Sequence, residues 1–78
     1  MTPKYQLEFT LETGDVSVQV LKNSLLEFGQ DLEVNPIAVE TKNKDFRIYI
    51  RTEDPTLVFD ACAEFGRIKS VKVNEVVV

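Results

Sequence analysis

Histidine and tryptophan are absent from this 78-residue chain, and cysteine occurs once, at Cys62. Without an imidazole, the Ser-His and Cys-His relays of nucleophilic catalysis have no base. One thiol makes neither a disulfide framework nor a zinc cluster. The three glycines, Gly14, Gly29 and Gly66, stand far apart at element boundaries, so no Walker or dinucleotide-type phosphate loop is present. No stretch approaches the roughly 18 apolar residues of a membrane span, and the opening "MTPKYQLEF" lacks the apolar core of a secretory signal. A cytoplasmic protein with no membrane partner is expected. Acids outnumber bases 13 to 9, for a net charge of −4, with no run of either sign. That leaves no basic footprint of the kind nonspecific nucleic-acid binding needs.

Metal chemistry would fall to carboxylates, of which Glu53, Asp54 and Asp60 lie close in sequence. Asp54 reads better as a helix cap, and acids in a first turn suit the helix dipole. No metal, no cofactor and no catalytic residue is expected, so the chain is read as a non-enzyme. Cys62 falls on the apolar face of a helix and reads as core.

What remains is the composition of an ordinary globular domain, 44% hydrophobic and 28% charged, in one unit spanning 1–78. A domain near this size buries only about 60% of its unfolded surface, so self-association would help it. The first strand is plain: Tyr5, Leu7, Phe9 and Leu11 alternate with Gln6, Glu8, Thr10 and Glu12.

Residues 12–20, "ETGDVSVQV", admit two readings. A two-residue hairpin at Thr13-Gly14 sets Phe9 opposite Val18, but Thr-Gly is a poor hairpin turn and Glu12 would oppose Asp15. A rival capping box, Ser24 with Glu27, is compatible with that hairpin. In the helical reading Asp15 caps the N-terminus, and Val18, Leu21, Leu25, Phe28 and Leu32 form one narrow stripe. Gly29 then stands at the C-cap, while Val16 and Val20 point away from the core. The helical reading is adopted.

Beyond Pro36, "IAVETK" is a strand candidate and "KNKD" a turn. "FRIYIR" alternates Phe46, Ile48 and Ile50 with Arg47, Tyr49 and Arg51. A second helix has Asp54 as N-cap, Pro55 at its first position and Gly66 just past its end, with Val58, Ala61, Cys62 and Phe65 inward. "IKSVKVNEVVV" closes the chain as a strand. The order β-α-β-β-α-β, with two right-handed crossovers, predicts an α+β ferredoxin-like plait: a four-stranded antiparallel sheet with both helices on one face. Its halves are alike in layout rather than in sequence.

On that plait the open sheet face carries Glu8, Arg47, Tyr49 and Arg51. Two guanidiniums flanking an aromatic can hold single-stranded RNA, but ion pairs with Glu8 and Glu40 neutralise both, so nucleic acid is not the expected partner. Val76, Val77 and Val78 leave an apolar edge, and an unpaired apolar edge calls for a partner strand. A homodimer through that edge is expected.

"TGDVSVQVLKNSLLEFGQDL" followed by "FRIYIRTEDPTLVFDACAEFGRIKSVKVNEV" resembles small ACT-type regulatory domains, in which a glycine opens the first helix. The resemblance implies small-ligand sensing near Gly14 and Asp15, where free amides at a helix N-terminus receive a carboxylate. "DVSVQVLK", "PIAV" and "IKSVKVNEV" are similar to segments of archaeal-type elongation factor beta exchange domains. That likeness implies a nucleotide-exchange accessory that contacts a GTPase. Together these readings make the chain a small binding or regulatory module with a protein or small-molecule partner.

Overall fold

A computed structural model describes residues 4–14, 16–37 and 44–76. In chain order come β1 (Tyr5–Thr13), α1 (Val18–Leu25), a 3₁₀ turn (Leu26–Phe28), β2 (Gln30–Ile37), β3 (Lys44–Thr52), α2 (Pro55–Ala63) and β4 (Gly66–Glu75). The strands form one antiparallel sheet in the order β2-β3-β1-β4. Phe9 lies opposite Ile48 of β3, and Val18 opens α1. Residues past Thr13 therefore turn into a helix and do not fold back as a hairpin.

The core forms where the inner faces of the two central strands meet the helices. Leu7, Phe9 and Leu11 of β1 and Phe46, Ile48 and Ile50 of β3 join Leu21 and Leu25 of α1 and Val58 and Cys62 of α2 in one buried cluster. Phe9 meets Phe59 edge to face at 5.5 Å, an arrangement favoured by the ring quadrupoles.

Several boundaries differ from those the sequence suggests, each for a local reason. The cap of α1 is Ser17, whose Oγ accepts the Val20 N–H at 3.2 Å; Asp15 lies outside the described residues. The helix tightens into the 3₁₀ turn after Leu25, so Val18, Leu21, Leu25 and Phe28 keep the inward stripe while Leu32 belongs to β2. Val16 packs half-buried against the core instead of pointing away, whereas Val20 is exposed. The second strand begins at Gln30, not beyond Pro36. Pro36 sits inside it opposite Phe46, which an edge strand tolerates because one row of its backbone groups has no partner to lose. Of "IAVETK", only Ile37 lies among the described residues.

The two halves follow one plan residue by residue. Ser17 and Asp54 cap the helices, and the buried pairs Leu21/Leu25 and Val58/Cys62 hold matching positions. Glu27-Phe28-Gly29 and Glu64-Phe65-Gly66 lead from each helix into the next strand. A Cβ at Gly29 would strike the Arg51 carbonyl, and one at Gly66 the Glu12 carbonyl. Each of those carbonyls precedes the buried threonine, Thr52 or Thr13, that ends a central strand. Asp31 (φ 54°) and Ser70 (φ 55°) sit at the register breaks of the two edge strands. The likeness thus reaches the sequence through a repeated Glu-Phe-Gly.

Candidate functional site

Directly paired residues of a sheet share a face, so the register lays out the outer surface. Gln30-Arg51-Gln6-Asn74, Glu33-Tyr49-Glu8-Lys72, Asn35-Arg47-Thr10-Lys69 and Ile37-Asp45-Glu12-Arg67 run across the sheet in four rows from β2 to β4. Glu8, Arg47, Tyr49 and Arg51 come together there as expected. Arg47 pairs with Glu8 and donates to Thr10 Oγ1 at 2.8 Å and to the Ser70 carbonyl at 3.4 Å. Arg51 lies 3.7 Å from the Asp31 carboxylate, and Lys69 lies 3.5 Å from that of Glu12. The hydrogen bond from Arg47 holds the Glu8 carboxyl below its ordinary value against a smaller opposing desolvation, and the charges of Arg47 and Lys72 act in the same direction as the bond. Internal partners thus hold Arg47, whereas Arg51 has the one looser pair and, among the described residues, no hydrogen-bond partner for its buried Nε; Glu40, expected to neutralise them, lies outside the described residues.

Gly14 is exposed, and a Cβ there would meet nothing within 4 Å. Asp15, Val77 and Val78 lie outside the described residues. Val76 follows β4 and donates its N–H to the Lys4 carbonyl at 2.8 Å. Among the described residues no group of three or more metal-ligating side chains occurs, and no helix is long and apolar enough to cross a membrane. Cys62 is fully buried, and desolvation pushes its thiol up to about 12.

Two features escape the sequence pattern. One is a cleft of about 350 Å³ where the 3₁₀ turn meets the start of α2, lined by Phe28, Gly29, Arg51, Asp54 and Leu57 among others. The second is the free edge of β4. Because Val76 turns its N–H toward β1, alternation turns the backbone groups of Val73 and Glu75 the other way, off the sheet. Val73 pairs with Leu7 and so faces the helix side, yet it stays 49% exposed, with Val71 at 46%. The helices are too short to cover them. Eight and nine residues reach about 12 and 14 Å at 1.5 Å per residue, against roughly 33 Å for a ten-residue strand.

A register break between the pairs Glu8–Lys72 and Thr10–Lys69 leaves Ser70 and Val71 together opposite Phe9. This bulge keeps Ile68, Val71 and Val73 on the same face although 68 and 71 differ by an odd number, a feature invisible to a period-two reading. Set against models of known protein families and against curated proteins, the sequence finds no match.

Proposed function

We propose that this chain is a small non-catalytic binding module, built as a ferredoxin-like plait, that works by accepting an added strand along the free edge of β4. The strand order β4-β1-β3-β2, a helix after each central strand and one core beneath both helices support the plait. The observation that carries the binding role is Val73. Its N–H and C=O point off the sheet while its side chain stays half-exposed on the apolar face. An incoming strand satisfies the first and covers the second, which is how β-augmentation obtains both affinity and register.

A peptide with the sequence of Tyr5–Glu12, whose apolar and polar residues alternate as in β4's own neighbour, tests this reading. Amide exchange is expected to slow at Val73 and Glu75 on adding the peptide. No change at those two amides at any peptide concentration would sink the proposal.

The cleft beside Arg51 favours a second reading, the small-ligand sensing that the ACT-type resemblance implies. Thermal-shift screening with amino acids and nucleotides tests it. A ligand at a hundred times its dissociation constant adds about 2.7 kcal/mol, roughly 10 °C or more for a domain this small. Absence of any shift across the panel counts against it.

A further inference from the structure

Building on the strand-acceptor reading, we infer that the strand received by β4 is the β4 of a second copy, laid antiparallel about a two-fold axis at Val73, and that assembly stops at two. Three observations converge on this pairing. First, Val73 presents both backbone groups outward, so two copies related by the axis exchange N–H···O=C bonds at Val73 itself. Second, the side chains in that register set Val73 on Val73 at the centre of the apolar side, with Val71 opposite Glu75 on either flank, and Lys72 opposite Asn74 on the outer side. An axis one residue earlier, at Lys72, would instead set two lysines directly opposite each other, and one at Asn74 would leave Val73 without a valine across from it. Third, no two basic residues of the outer face stand directly opposite each other: Arg67 and Lys69 run away from the axis, and the two Lys72, each opposite an Asn74, are only diagonal neighbours.

Closure at two follows from the inequality of the edges. β2, which occupies in its half the place of β4, carries Pro36, without an N–H, and a register break at Asp31 with φ 54°. Proline blunts an edge against pairing, whereas the bulge that both edges share lies at Ser70 in β4, clear of Val73. Among the described residues β4 is then the competent edge, and a self-complementary contact through a single patch gives a closed dimer, whereas two different patches would give an open filament.

Sedimentation of the intact chain over a dilution series is expected to show a species of twice the 8.9 kDa of one chain. Val73→Lys, an inward charge at the edge, should raise the dissociation constant about tenfold or more with the circular dichroism unchanged. Under mild oxidation Val73→Cys should crosslink to itself, because a hydrogen-bonded antiparallel pair sets Cα atoms about 5.5 Å apart, within disulfide range. Val71→Cys should not, since its own counterpart lies roughly 14 Å along the strand. Cys62, fully buried, stays silent. Should Val73→Lys not fold, the two cysteine variants decide the register on their own.

A monomer at every concentration overturns the second copy as the occupant and leaves the acceptor edge to be judged by the peptide experiment. A dimer that crosslinks through Val71 overturns the register, and one that survives Val73→Lys overturns the edge. Mass growing beyond two overturns the closure.

Discussion

Arg47 reaches from β3 to β1, where one terminal nitrogen meets the Glu8 carboxylate and the other donates to the Thr10 hydroxyl at 2.8 Å. The cluster links the two central strands across their outer face. Glu8 therefore ionises more readily folded than unfolded. A carboxyl whose value falls on folding stabilises the fold above its unfolded value, and that contribution disappears as the pH drops through the folded one. Unfolding curves taken from neutral pH to below the ordinary glutamate value of 4.5 should show native protein losing more stability than Glu8→Gln. Parallel curves for the two proteins refute the assignment.

Thr52 ties the two halves together at a corner. Its hydroxyl donates to the Phe28 carbonyl at 2.6 Å and accepts the Asp54 N–H at 3.1 Å, in a position only 2% exposed. Thr52→Val keeps the shape and leaves both groups without this partner, an expected loss of about 1–3 kcal/mol. Thr52→Ser should recover most of it. Urea denaturation of the pair separates the hydrogen bonds from the packing.

Ser70 holds a left-handed backbone, φ 55°, at the bulge of β4. That conformation penalises a side chain by about 1–2 kcal/mol and spares glycine. Ser70→Gly should leave stability unchanged or raise it by up to about 1 kcal/mol, the added freedom of the unfolded glycine offsetting part of the relief. Ser70→Val should lower it, because a β-branched side chain tolerates this region least. A fall in the urea midpoint for the glycine variant would contradict the bulge geometry.

Cys62 packs with Leu7, Phe9 and Val58 in the core, and its thiol is pushed up to about 12 by burial. The thiolate is the reactive form, so alkylation of the native protein at mildly alkaline pH should proceed only through unfolding. The rate measured against denaturant should track global stability. Fast modification without denaturant would show that the helix side opens locally.

Much of this architecture is legible in the sequence where hydrophobic period and capping agree. The alternation of Leu7, Phe9 and Leu11 and of Phe46, Ile48 and Ile50 marks the central strands, and Asp54-Pro55 marks the start of α2 to the residue. The edge strands are where legibility fails. Both contain a bulge and a residue of positive φ, so their alternation breaks midway, and β2 holds a proline that reads as an interruption. Leu32 fits the phase of the preceding helix by coincidence of spacing, and only Gly29, with no room for a Cβ beside β3, ends that stripe. Of the proposed binding edge, the valines are visible in the sequence. Which way Val73 turns its backbone is not, since it depends on register with β1.

The matching stations of the two halves give this molecule an internal comparator. Ser17 and Asp54, Leu25 and Cys62, and Phe28 and Phe65 each occupy like environments in a chain of one length, one solvent history and one unfolded state. A truncation at one station has its twin at the other, so unequal losses report the surroundings rather than the residue type.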